Sequence, residues 1–366
     1  LFCAASTSAA FFCVVFVKSA TIFYLSTLLA LTGVQLHFIM LAPYVAAYAG
    51  SAGGKSIDWY TRTYYMGYVG YFLTTFLGGA ATVKLFSSHA GISFERARKL
   101  TEYITETTGS TRDAYLAGNR DVLIITGVVT LLSIIPILFI REEKSDYISV
   151  DEQQTKKQSL PERVRDILSV LFRKDAMMYL IYWALISFAM GLFTSYYTVF
   201  LNRNLHIDKA TSSLLVSISY AAIVLFMLFT PFVVKKMGTV GTICFTVLLS
   251  IPFMLIIANG NHFGKAMIPM VGIGLFMRAG LANLGSPADS SLSMIAPKNL
   301  RPAFTSVVNF IAGIVSIISG HFTGSILFTA QEGYRTAYYI AAALYFVAAL
   351  MIITLFKKYN RKEAEE

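Results

Sequence analysis

The last long apolar stretch of the chain, TAYYIAAALYFVAALMIITLF at 336–356, contains no charged residue. A helix of about 20 apolar residues crosses the roughly 30 Å hydrocarbon core of a bilayer, so this stretch predicts a transmembrane helix. Similar stretches recur along the chain and are separated by charged or Gly/Pro-rich breaks. The ten runs are 1–17, 21–47, 63–85, 122–140, 177–201, 210–234, 240–258, 266–288, 303–327 and 336–356.

Composition supports the same interpretation. The 366 residues are 56% hydrophobic and 14% charged, and the mean hydropathy is +0.62, whereas soluble domains carry about 25% charged residues. Lipid permits only helices or closed barrels, and the runs lack the apolar/polar alternation of a barrel strand. The predicted fold class is therefore all-α, a polytopic membrane protein.

The net charge of +10 indicates membrane topology rather than nucleic-acid binding, because the basic residues form short clusters between apolar runs. Most of them fall on the side that carries the segment 141–176 and the C-terminus. We therefore expect that side to be cytoplasmic and the protein to lie in the plasma membrane. Cys3, Cys13 and Cys244 lie in apolar runs without metal-ligand spacing. No metal, cofactor, phosphate-binding loop or catalytic nucleophile is predicted.

Polar segments divide the chain into four parts. Residues 1–140 carry four predicted spans, 141–176 form a charged linker, 177–358 carry six spans, and 359–366 form a charged tail. Two polar segments contain amphipathic stretches, ISFERARKLTEYI at 92–104 and PERVRDILSVLF at 161–172. Their apolar residues recur at helical spacing, so each is expected to lie along the membrane surface.

An internal repeat explains the unequal number of spans. Landmarks around the second span recur around the eighth at nearly equal separations, which indicates a repeat unit of six spans. The pairs are Pro43 with Pro287, Arg62 with Arg301, and Gly79 with Gly320. We therefore expect two helices to precede residue 1, so that the chain is truncated at its N-terminus.

Three segments resemble the major facilitator superfamily of the bacterial type. PFVVKKMGTVG at 231–241 is similar to the second copy of the family's cytoplasmic loop motif, although Lys235 replaces its acid. SPADSSLSMIAPKNLRPAFTSVVNFIAG at 286–313 and YVGYFLTTFLGGAA at 68–81 are similar to the regions around helices ten and eleven and to helix five. In the latter, Thr74 and Thr75 stand where antiporters have Gly-Pro. The resemblance implies two six-helix halves, seen here as helices three to twelve, that rock around a central solute site.

Polar residues within the apolar runs are the candidate solute-binding residues, because burying them in lipid is costly. Arg278 lies midway through the run 266–288 and needs a cavity, a carboxylate or an anionic solute; pairing with backbone carbonyls, or with an acid on the two helices expected before residue 1, is the structural alternative. His37 can titrate near neutral pH and couple protons, or be a packed structural histidine.

Hydroxyl and amide side chains form further candidates. Tyr68 and Tyr71 lie on one stripe of the run 63–85, at a depth where they can face a cavity. The others are Tyr197, Ser217, Asn283 and Asn309. Each of these can instead bond to carbonyls of its own helix or serve helix packing.

Acidic residues are expected only in loops and at helix ends, so a proton-titrating carboxylate would lie on the two preceding helices, be replaced by His37, or not exist. Asp289 is a candidate gate residue, with Arg62, Lys235 and Lys236 as possible partners. Positive-inside anchoring is the alternative role of these cations.

The sequence thus predicts a secondary active transporter of a small organic solute, such as a sugar, a drug-like compound or another metabolite, coupled to protons or another ion. A uniporter of the same fold, or a non-transporting membrane enzyme or receptor, is the alternative. The expected partners are the solute, the coupling ion and the lipid bilayer, without nucleic acid, and the chain is expected to be monomeric.

Overall fold

The computed structural model describes residues 1–51, 56–139, 165, 168–291, 295–296, 300–329 and 332–360. Within these ranges the regular secondary structure is entirely helical, which confirms the predicted all-α class. The α-helices are α1 Phe2–Phe16, α2 Ala20–Ser51, α3 Ser56–Ala90, α4 Phe94–Leu100, α5 Ser110–Leu132, α6 Ile134–Leu138, α7 Lys174–Gly191, α8 Tyr197–Arg203, α9 Lys209–Met227, α10 Thr230–Ala258, α11 Met267–Ser291, α12 Arg301–Ser325 and α13 Gly333–Leu355.

Eight helical segments in the described ranges are long and apolar enough to cross a membrane. They correspond to the last eight of the ten predicted runs. The first two runs form α1, with 15 residues, and α2, with 32 residues. The linker 141–176 lies largely outside the described residues, but α7 already begins at Lys174 and Val170 is buried in the adjoining core.

The chain forms two compact units. The first comprises Leu1–Gly70, Leu77–Lys157 and Asp208–Ala210, and the second comprises Tyr71–Phe76, Gln158–Ile207 and Thr211–Glu366. In the first unit α1 packs against α2 and α5. The hydroxyl of Ser8 donates to the carbonyl of Gly127 at 2.7 Å, so small residues bring α1 and α5 close together.

The amphipathic stretch 92–104 forms α4 and a following 3₁₀ turn, but protein covers its apolar side. Ala97 and Ile104 are buried with Val83 and Phe86 of α3. The apolar face of this stretch therefore has protein neighbours within its own unit, and its location along the membrane surface stays a prediction.

In the second unit α10 packs against α11 and α13, and α7 packs against α12 and α13. The predicted run 177–201 is not one continuous helix. It is interrupted after Gly191 by a 3₁₀ turn at Thr194–Tyr196 before α8 begins. The predicted break at 235–239 coincides with Gly238, whose φ of 77° and ψ of 170° interrupt α10.

Candidate functional site

Arg278 lies near the middle of α11 and only 4% of its surface is exposed. Its guanidinium donates from Nη1 to the hydroxyl of Tyr197 and from Nη2 to the hydroxyl of Tyr345, the latter at 3.2 Å. The Cζ atom lies 4.5 Å from the ring centroid of Phe193. The ring of Tyr338 stacks in turn on Phe193, with centroids 5.0 Å apart. These five residues are named the Arg278 cluster.

The interrupted seventh helix places two members of the cluster. Phe193 and Tyr197 flank the 3₁₀ turn between α7 and α8, so the break turns both rings toward α11. Cation–π contacts with such rings contribute about 0.5–2 kcal/mol each, depending on desolvation. In a continuous helix the two positions would be about 40° apart around the axis. The 3₁₀ turn between them changes the backbone direction, so their relative orientation here is set by the turn.

Sequence reasoning identified Arg278 and Tyr197 but missed Phe193, Tyr338 and Tyr345. A signal for the last two was present, since Tyr338 and Tyr345 are seven residues apart and therefore share one face of α13. Both side chains are buried. A stripe of tyrosines on one face of an apolar helix is thus the sequence pattern that indicates the two cluster residues on α13.

The other predicted solute-site residues lie outside the Arg278 cluster. Tyr71 stacks with Tyr220 at 5.5 Å within the second unit, and Tyr68 is half-buried on α3. Ser217 is fully buried and donates to the carbonyl of Leu214 in its own helix. Asn283 is half-buried and donates to the carbonyl of Ala279, whereas Asn309 and His37 are exposed.

The predicted gate is described only in part. The side chain of Asp289 lies outside the described residues. Arg62, Lys235 and Lys236 have exposed side chains. The described ion pairs are those of His89 with Asp121, Arg98 with Glu95 and Asp208, Arg335 with Glu332, and Lys358 with Asp175.

The position of Asp121 corrects the expectation that acids lie only in loops and at helix ends. Helix α5 begins at Ser110, so Asp121 lies inside a continuous helix, and its carboxylate lies 2.6 Å from Nε2 of His89 in the last turn of α3. Helix α5 begins twelve residues before the predicted apolar run 122–140. Its polar first half, residues 110–121, is helical as well, so Asp121 lies within the helix.

The tail predicted at 359–366 is packed against the second unit as far as Asn360. Its Oδ1 accepts from the backbone N–H of Val240 at 2.9 Å and of Gly241 at 3.2 Å, beside the break at Gly238. Lys358 donates to Asp175 at 2.7 Å, and this hydrogen bond raises the pKa of the Lys358 ammonium. Burial, followed by the hydrogen bond to Asp175, raises the pKa of Tyr359. The residues 357–360 are named the C-terminal strap.

Comparison with known proteins identifies the family. The model described as Major Facilitator Superfamily matches residues 113–319 and 197–366, which together span more than half of the chain. The chain belongs to the Major Facilitator Superfamily. This membership makes it a multi-pass membrane transporter rather than an enzyme, as the sequence predicts. Among curated proteins, none matches the chain significantly.

Solved structures share the fold of this facilitator-superfamily protein. A point mutant of the nucleoside transporter NupG aligns with a TM-score of 0.71 and 14% identity over 97% of this chain and 82% of its own. A bacterial homologue of the human lysosomal transporter Spinster, inward-facing and unoccupied, aligns with a TM-score of 0.63 and 16% identity. The alignment covers 99% of this chain and 84% of the homologue. The D-xylose-proton symporter aligns with a TM-score of 0.64 and 13% identity, over 96% of this chain and 78% of the symporter.

Proposed function

We propose that this facilitator-superfamily protein carries a small organic solute by secondary active, alternating-access transport, with Arg278 and Tyr197 in the solute site. The observation that supports this is the buried guanidinium of Arg278 near the middle of a spanning helix. Leaving a charge buried costs several kcal/mol even after relaxation. Solute binding explains why a transporter keeps a charge there in spite of this cost. If the side chain served packing alone, an apolar residue would be more stable.

The cluster also supplies a surface for an organic solute. Rings of Phe193 and Tyr197 surround the guanidinium, and they offer flat apolar contact together with one hydroxyl. Binding pockets for small molecules combine apolar and aromatic walls with a few polar groups that orient the ligand. Sugars, drug-like compounds and other metabolites are the candidate solutes.

Proteoliposomes that contain the purified protein test the proposal. They are incubated with a defined mixture of sugars, nucleosides and carboxylic acids, and the accumulated compounds are identified by mass spectrometry. We expect saturable accumulation of at least one compound, strongly reduced by Arg278→Lys, because a point charge cannot replace the planar guanidinium. Accumulation no greater than in protein-free liposomes would overturn the proposal.

Proton coupling is the finer part of the proposal. The supporting observation is the 2.6 Å contact between Nε2 of His89 and the carboxylate of Asp121, because a hydrogen-bonded histidine and carboxylate form a short path for proton transfer. A pH-sensitive dye inside the vesicles should report proton movement upon solute addition. We expect Asp121→Asn to abolish this movement and His37→Gln to preserve it. Solute uptake without any proton movement would identify a uniporter or another coupling ion.

In the cell, we propose that the protein lies in the plasma membrane as a monomer, with the segment 141–176 and the C-terminus in the cytoplasm. The excess of Lys and Arg in those segments supports this orientation. Labelling of Asn360→Cys with a membrane-impermeant thiol reagent, in intact and in permeabilised cells, tests this orientation. Labelling of intact cells by a membrane-impermeant reagent would contradict the proposed orientation.

A further inference from the structure

The positive charge of Arg278 has no acidic counterpart among the residues that the structure describes. Its recorded hydrogen bonds go to the hydroxyls of Tyr197 and Tyr345, which are neutral acceptors. The ion pairs in the same described ranges involve other cations. Because arginine stays protonated in proteins, the cluster carries a positive charge that no described residue compensates.

Two polar atoms of the cluster are also without a hydrogen-bond partner. They are Nε of Arg278 and the hydroxyl of Tyr338, and both are fully buried. The two side chains contact the same ring, since Phe193 lies 4.5 Å from Cζ of Arg278 and stacks with Tyr338. Buried polar groups are almost always paired in folded proteins, so a pair of unsatisfied groups in one cluster points to a missing acceptor.

We propose that the Arg278 cluster binds the oxyanion of the solute, so that the transported compound is a small organic anion with a carboxylate or phosphate group. This inference rests on the proposed function and names its substrate class. An oxyanion carries negative charge and several acceptor lone pairs, and it forms the strong, planar pairs that guanidinium favours. A neutral solute would supply acceptors but would leave the charge of Arg278 uncompensated.

The burial of the individual members indicates how the anion reaches the guanidinium. Arg278, Phe193, Tyr338 and Tyr345 are all buried, whereas Tyr197 is only partly so. The proposal therefore assigns solute entry to the side of the cluster that Tyr197 covers. When the oxyanion binds, it replaces the Tyr197 hydroxyl as the acceptor for Nη1, and the ring of Tyr197 then packs against the organic part of the solute.

Thermal unfolding of the purified full chain with matched compounds tests this inference. Benzoate and phenyl phosphate are the anionic probes, and benzamide and benzyl alcohol are neutral compounds with the same ring. We expect at least one anionic probe to raise the melting temperature and both neutral compounds to have no effect. The stronger of the two anionic probes identifies the group that the cluster prefers.

Two arginine variants locate the effect. Arg278→Met should weaken binding of the active probe by at least about 100-fold, in line with the loss of one partner of a buried ion pair. Without any probe, the same variant should melt at a higher temperature than the wild type, because it removes an uncompensated buried charge. Arg335→Met, which removes a cation of the same unit outside the cluster, should bind the probe normally.

Three results would overturn the inference. These are equal stabilisation by benzoate and benzamide, absence of any effect of both anionic probes on the wild type, and a lower melting temperature of probe-free Arg278→Met, which would make the arginine a structural cation. Each differs from failure of the proposed function. Accumulation of only neutral solutes in proteoliposomes would retain transport and reject the anion, whereas probe binding without any accumulation would reject transport alone.

Discussion

The guanidinium of Arg278 on α11 donates a 3.2 Å hydrogen bond to the hydroxyl of Tyr345 on α13. Both side chains are more than nine-tenths buried. This bond ties together two spanning helices near the middle of α11, and it holds the guanidinium in a fixed orientation toward Tyr197. In the proposed function, the same contact orients the guanidinium for solute recognition.

Removing the acceptor of this bond should destabilise the protein. We expect Tyr345→Phe to lower the free energy of unfolding by about 1–3 kcal/mol, because a further buried N–H of Arg278 loses its partner. The control is Tyr24→Phe, which changes a side chain that is 72% exposed. Thermal unfolding in detergent measures both. Equal melting temperatures for the two variants would contradict the assigned hydrogen bond.

Asn360 in the C-terminal strap should stabilise the helix that resumes after Gly238. Its Oδ1 accepts from the N–H groups of Val240 and Gly241, as an N-cap side chain does. Asn360→Ala should therefore cost about 1 kcal/mol. Asn360→Asp keeps the acceptor and adds a negative charge at a helix N-terminus, so its loss should be smaller. An aspartate variant as unstable as the alanine variant would argue against capping.

Gly238 is expected to tolerate no side chain. Its φ of 77° and ψ of 170° lie in a region used almost only by glycine, and a Cβ there would also collide with the amide of Asn360. Gly238→Ala should cost about 1–3 kcal/mol or more. Gly313→Ala is the matched control, since a Cβ on that residue of α12 meets no atom within 4 Å. It should stabilise the helix by about 0.5–1 kcal/mol.

The contribution of Lys358 to stability should decrease as the pH rises into the alkaline range. The hydrogen bond to Asp175 raises the pKa of this lysine in the folded protein above its ordinary value of 10.5. A cation with a raised pKa contributes stability that is fully present below the unfolded pKa and is lost as the pH rises through the folded one. The melting temperature of the wild type should therefore exceed that of Lys358→Met up to about pH 10 and converge with it at higher pH.

The neighbouring lysine provides the control for this measurement. Lys357 is exposed and precedes Lys358 in the same 3₁₀ turn. Lys357→Met should melt with the wild type over the whole pH range. A difference between wild type and Lys358→Met that persists unchanged at pH values well above the ordinary lysine pKa would show that the contribution comes from packing of the lysine stem rather than from its charge.

The sequence by itself determined which segments are helical and apolar enough to cross a membrane, because hydropathy and helical length are local properties. In the part of the chain that the structure describes, eight of the ten predicted runs appear as candidate spans, and the loop motif at 231–241 contains the break at Gly238. Arg278 could also be recognised from sequence, since a permanent charge inside an apolar run is anomalous wherever the run packs.

Only the tertiary structure decided what surrounds that charge. Tyr345 on α13 and Phe193 in the break after α7 lie 67 and 85 residues away from Arg278 along the chain. Their convergence depends on the rotation of the helices about their axes and on the interruption after Gly191. Tertiary contact likewise placed Asp121 beside His89 and turned the apparent tail at Asn360 into a helix cap. Hydropathy fixes where a helix crosses the membrane, but it leaves open which faces meet, because that depends on packing between segments distant in sequence.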